Sequence, residues 1–209
     1  MVHSFFIQAI DSKGKSRLLY ATSLTPRKKY DDDTTNKHDA KQKTGALQNK
    51  SQSAIEVHSI SERVLQEYTF SESTSIRRLS EDDYHNMRDG DNFPELHQGV
   101  FKYTENGWDS VSGTNERSTE KVVVWQGGFS CIFTLVCEVN ENIVLAFDVL
   151  NRLIKTLQNK AQVITQQNDL KHGRVNIIVK RLLPNGQLLF MNHRSMKYVG
   201  KEIDAKNSL

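Results

Sequence analysis

Cysteine is scarce, and its placement excludes a disulfide scaffold: Cys131 and Cys137 are the whole complement of a 209-residue chain. Both fall on one apolar run that reads as a strand, where six residues at roughly 3.3 Å each hold them about 20 Å apart. A disulfide needs Cα atoms within about 7 Å, so free thiols in a reducing, cytosolic compartment are expected.

Long hydrophobic runs are also missing. None approaches the ~20 apolar residues of a membrane span. The Val2 to Ile10 run has no basic flank and leads into Asp11 rather than a small-residue cleavage site, so a secretory leader is not expected. Charge of one sign is lacking as well: 28 basic and 25 acidic residues leave a net +3. That balance implies no large field towards nucleic acid or membrane.

Metal and catalytic spacings are absent too. The seven histidines are scattered, and no His-x3-His or Cys-x2-Cys pair brings ligands together, so no metal site is expected. There is no Gly-x-Ser-x-Gly, no framed carboxylate pair and no cysteine in an exposed basic turn, which leaves no catalytic residue to name. Ala9 to Ser16 ends in Gly14-Lys15-Ser16 like a phosphate-binding loop. That chemistry requires a helix N-terminus directly afterwards, and Arg17 to Leu24 reads as a strand instead. No cofactor is expected. Asp89-Gly90-Asp91 suggests a calcium loop, but with Gly90 at the sixth position the first ligands become His85 and Met87, which do not serve. Asn49-Lys50-Ser51 has the form of a glycosylation acceptor without the secretory signal that would expose it to the enzyme. Arg77-Arg78-Leu79-Ser80 has the basic placement favoured by kinases with acidic pockets, making Ser80 a candidate phosphosite.

What is present is an α/β (α+β) pattern organised around residues 120–158. Lys121 to Trp125 is rich in β-branched residues, and Gly127-Gly128 offers the freedom of a short hairpin turn. Phe129 to Val139 is apolar at nearly every position, the mark of a central strand covered on both faces. After Asn140-Glu141-Asn142, the spacing of Ile143, Phe147, Leu150, Ile154 and Leu157 predicts a helix of about four or five turns whose apolar stripe covers the sheet. Upstream, Val2 to Ile10 and Arg17 to Leu24 predict a hairpin. Ser53 to Glu56 has capping-box spacing ahead of Val57, Ile60, Val64 and Tyr68 on one helical face. Gly99 to Thr104 predicts a further strand. Downstream, Val175, Ile178, Val179, Leu182 and Leu183 predict a helix that stops at Pro184-Asn185-Gly186. Leu188 to Met191 is a short apolar segment, and Met196, Val199 and Ile203 predict a last short helix. One domain spanning 1–209 is expected, with polar insertions at 26–50, whose composition cannot bury enough surface to order itself, and at 71–95, which is polar and acidic.

Particular stretches carry a resemblance. Met1-Val-His-Ser-Phe-Phe-Ile-Gln with Arg17-Leu-Leu-Tyr20, Val123-Val-Trp125, Phe133 to Leu153, and above all Arg181-Leu-Leu-Pro-Asn-Gly-Gln-Leu-Leu-Phe-Met-Asn192 occur in an order that resembles the small (sigma) subunits of heterotetrameric adaptor-protein complexes, those of the fifth complex specifically. The resemblance implies a longin-like domain, a five-stranded antiparallel sheet with helices on both faces. It implies a non-catalytic structural subunit in endosomal and lysosomal membrane protein sorting. The implied partners are the large (zeta), beta and mu subunits of the same complex together with spatacsin and spastizin, with no nucleic acid. The implied location is cytoplasmic, peripheral on late endosome and lysosome membranes through the complex. Residues Lys160 to Asp169 depart from the sigma subunits that help bind dileucine signals, so no cargo-binding residue carries over. The apolar run Leu188, Leu189, Phe190, Met191 is the expected partner interface. The other readings are a different longin-type trafficking scaffold, regulating a small GTPase or serving a tethering complex, and a nucleotide-dependent enzyme.

Overall fold

The computed structural model describes residues 1–24, 39–75, 95–104, 120–164 and 170–207. Five strands form one sheet: β1 (Val2–Ile10), β2 (Ser16–Ser23), β3 (His97–Thr104), β4 (Glu120–Gly128) and β5 (Cys131–Glu138). Their spatial order is β2-β1-β5-β4-β3, and every neighbouring pair is antiparallel. The most apolar strand of the chain, β5, therefore sits in the middle, where water reaches neither face. All its residues from Cys131 to Cys137 are buried.

Alternation along the strands sends side chains to two separate cores. On one face Phe6, Val123, Trp125, Ile132 and Val136 meet Ile60, Val64 and Tyr68 of α1 (Asp39–Thr74). On the other, Phe5, Ile7, Val122, Val124, Phe133 and Leu135 meet α2 (Ile143–Ala161), α3 (His172–Leu182) and α4 (His193–Asn207). Removing each such aliphatic or aromatic side chain from water stabilises the fold by roughly 1.5–3 kcal/mol. The longin-like architecture expected from the resemblance, five antiparallel strands between helices on both faces, is the one observed.

Local signals account for the ends of α2. Asn142 precedes it in an extended conformation, and its side chain accepts a hydrogen bond from the Leu145 N–H at 3.0 Å, satisfying a donor the helix leaves free. At the other end Gln162 adopts a left-handed conformation, with its N–H bonded to the Gln158 carbonyl. Leu150, Leu153, Ile154 and Leu157 face the sheet, whereas Ile143, expected on that stripe, is 39 % exposed at the first turn. The predicted apolar face of α3 is buried throughout, and the helix gives way to a 3-10 turn at Pro184–Gly186.

Three local expectations are corrected. Gly127 and Gly128 belong to β4, and the two-residue turn is Phe129-Ser130, both in the left-handed region at φ 53° and 60°. The glycine at 127 serves packing: a Cβ there would lie 2.8 Å from the Tyr68 ring of α1. Second, α1 begins at Asp39, so residues 39–50 of the first predicted insertion are helical and the capping-box spacing at Ser53 lies inside a helix. Ala40, Lys41, Gln42, Lys43, Ala46 and Leu47 are good helix formers, and propensity alone reads correctly there while apolar periodicity does not. Third, α1 continues through Thr74, past the start of the second predicted insertion. Residues 25–38 and 76–94 lie outside the described residues.

Candidate partner interface

Neither cysteine stands ready as a nucleophile. The Cys131 and Cys137 thiols are free and buried in the sheet, and burial pushes both up to about 12, where the reactive thiolate is scarce at neutral pH. Among the described residues no group of three His, Cys, Asp or Glu side chains is placed to hold a metal ion. The loop ending in Gly14-Lys15-Ser16 is a hairpin turn leading into β2. Its N–H groups are turned inward: those of Lys13 and Lys15 donate to Asp11 Oδ1 at 2.9 and 2.8 Å, and that of Gly14 to the Asp11 carbonyl. A carboxylate of the chain thus takes the donors that a phosphate would need. Ser80 and Asp89-Gly90-Asp91 lie outside the described residues, and Asn49 falls within α1.

The features that point outward are apolar. Of the run singled out in the sequence, Met191 is buried in the main core and Leu188 packs half-buried against it. Leu189 and Phe190 are 37 % and 81 % exposed. The run is fixed at both ends. At its start, Gly186 sits against the first residue of β1 so closely that a Cβ would come within 2.3 Å of the Val2 carbonyl oxygen. At its end, the Arg152 guanidinium of α2 donates to the Met191 carbonyl and also pairs with Asp148 at 2.9 Å. Val2 pairs with Cys137 near the end of β5, and α2 begins at Ile143 shortly after that strand. The anchors therefore tie the run to the start of β1 at one end and to the middle of α2 at the other.

The first turn of α2 carries exposed apolar side chains of its own. Val144 is 79 % exposed, and Ile143 beside it is partly so. Val144 lies off the apolar stripe that marks the buried face of α2, so an apolar residue outside the stripe is the signal in the sequence that marks it. The same end of the molecule is pinned by charge: the Met1 ammonium bonds Glu138 and Glu141, and this hydrogen bonding holds the Glu141 carboxyl below its usual range. Val144, Leu189 and Phe190 are thus exposed, with their side chains outside the core of the chain. Exposed aromatic and aliphatic anchors on a fixed backbone are the chemistry of a protein-protein contact.

Comparison with known proteins identifies the lineage. A family model described as "AP-5 complex subunit sigma-1" matches residues 1–204. The chain belongs to this family. A human protein named "AP-5 complex subunit sigma-1" is 32 % identical over 97 residues, 46 % of this chain and 48 % of that relative. The alignment thus spans about half the length of each. The family match takes in all five strands, α2 and α3, the exposed run at Leu189-Phe190 and most of α4. Among the described residues no helix is long and apolar enough to cross a membrane.

Proposed function

We propose that the chain is the small, non-catalytic structural subunit of a heterotetrameric adaptor complex that sorts membrane proteins at late endosomes and lysosomes. The observation that carries this reading is membership of an adaptor sigma family across residues 1–204, and the exposed apolar side chains of Leu189 and Phe190 support it. On this reading Leu189 and Phe190, continuous with the core through Leu188 and Met191, seat against the large (zeta) subunit, and the beta and mu subunits complete the assembly. Spatacsin and spastizin associate with the assembled complex, which is held on the cytoplasmic side of the membrane as a peripheral body. A partner that binds only the folded form shifts the folding equilibrium towards it, so assembly also stabilises the subunit.

The test is co-expression. The tagged chain is expressed alone and with each large adaptor subunit, and partners retained on affinity purification are identified by mass. The expected result is a rise in soluble chain with one large subunit and co-purification of the remaining subunits from cells. A stable monomer indifferent to every large subunit would overturn the proposal.

A further inference from the structure

The near balance of charge over the whole chain conceals a local imbalance on α4. Arg194, Lys197, Tyr198 and Lys201 recur at spacings of three and four, which places them on one stripe of the helix. All four are exposed, Tyr198 to 67 %. The opposite stripe, Met196, Val199 and Ile203, packs into the core and fixes which side faces outward. The two acids of α4 flank the outer stripe and are engaged sideways: Glu202 pairs with Arg181 of α3 at 3.4 Å, and Asp204 with Lys160 of α2 at 2.7 Å. The helix thus neutralises its own anions against its neighbours and presents three cations around a tyrosine.

We propose that this outer stripe of α4 is a contact surface for an anionic phospholipid bilayer. Charge complementarity selects the occupant. Cations on flexible stems settle at a headgroup layer, and an exposed tyrosine with an apolar ring and a polar tip suits the boundary between headgroups and acyl chains. An acidic protein surface would take the same cations, and its signature is loss of a protein partner with lipid binding retained. The contact is of the kind made by basic amphipathic helices lying in the membrane plane, with the apolar side here committed to the protein core. It is electrostatic, weak for one copy, and short-ranged in salt. It does not depend on the subunit assignment, because every residue in it belongs to this chain.

The experiment is co-sedimentation of the full chain with vesicles of phosphatidylcholine alone or of phosphatidylcholine with phosphatidylserine. Binding is expected only where phosphatidylserine is present and should weaken as salt rises. The variant Arg194→Gln/Lys197→Gln/Lys201→Gln keeps good helix formers on an exposed face and should retain the wild-type circular dichroism. Its partitioning should fall by roughly a hundred-fold, about five-fold per cation removed. Tyr198→Ala should produce a smaller loss. Lys13→Gln/Lys15→Gln, in the β1–β2 hairpin, should leave partitioning unchanged. Equal binding to neutral vesicles, no loss in the triple variant, or an equal loss in the hairpin variant overturns the proposal. So does a triple variant that keeps lipid binding but loses a large adaptor subunit, which assigns the stripe to an acidic protein surface. Failure of the wild-type chain to find any large subunit leaves the lipid result standing and bears only on the subunit reading.

Discussion

Gly99 and Trp125 face each other across the β3–β4 ladder, and the indole ring lies so close over the glycine that a Cβ there would meet it at 2.7 Å. The ring fills the space a side chain would occupy. It makes an edge-on contact with Tyr68 of α1, 6.1 Å between centroids, so one glycine on an edge strand sets how the helix seats on the sheet. Gly99→Ala should therefore destabilise the fold by about 1–3 kcal/mol through overpacking. Chemical denaturation with a lowered midpoint and an unchanged slope is the expected outcome; a midpoint matching wild type would show that the ring is free to move aside.

The β4–β5 turn stores strain. Phe129 and Ser130 both sit at positive φ, the geometry of a tight two-residue hairpin turn, which Asn-Gly adopts without penalty. Ser130→Gly should raise stability by roughly 0.5–1 kcal/mol, and Phe129→Asn should add to it unless the half-buried Phe129 ring contributes more by packing. Thermal melts of the single and double variants separate the two effects. A melting temperature lowered by Ser130→Gly would exclude backbone strain as the governing term.

These two sites also show what the sequence withholds. The identity of β5 as the covered central strand is plain from its uninterrupted apolar residues, and the helical stripes of α2 and α3 from their spacing. Gly127-Gly128 misleads because a glycine needed for conformational freedom and one needed for the approach of a distant ring are the same letter. The ring at Tyr68 is remote in the chain from Gly127, and no local pattern connects them. The start of α1 is hidden for the opposite reason, since its polar first turns carry helix propensity without an apolar face. At the candidate interface Leu188 to Met191 is legible as an apolar run. Its division into a buried Met191 and an exposed Phe190 depends on Arg152 and Val2, which only the fold brings to it.

Acid should loosen the end of the sheet where β1 begins. Burial, then the neighbouring Lys121 ammonium, hold the His3 imidazole below its usual 6.5, outweighing the opposing pull of Glu138 and Glu56. The folded state thus prefers neutral His3 more strongly than the unfolded chain does. The stability this contributes is full above the unfolded value and is lost as pH falls through the lower folded value. Stability should decline as pH falls below the usual imidazole value of 6.5, and His3→Gln should flatten that slope. Equilibrium unfolding across this range reads the effect directly; identical slopes in the two proteins would assign the pH dependence to other groups.

The division of the apolar run allows contact and core to be tested separately. Leu189 and Phe190 point outward, so replacing both with Asp removes little that the isolated fold uses, and stability should change by no more than about 0.5–1 kcal/mol. Loss of a central aromatic anchor ordinarily costs an interface about 2 kcal/mol or more, some thirty-fold in Kd, and two buried carboxylates would add to that cost. The double variant should keep its circular dichroism and lose the large subunit. Met191→Asp should behave differently, because Met191 is buried in the main core, where an unpaired carboxylate costs several kcal/mol, about 3 or more. That variant should fail to fold before any question of binding arises. If Leu189→Asp/Phe190→Asp unfolds the chain as Met191→Asp does, the run is structural along its whole length. If the double variant folds and still holds its large subunit, the contact lies elsewhere, and Val144, exposed at the start of α2, becomes the residue to replace next.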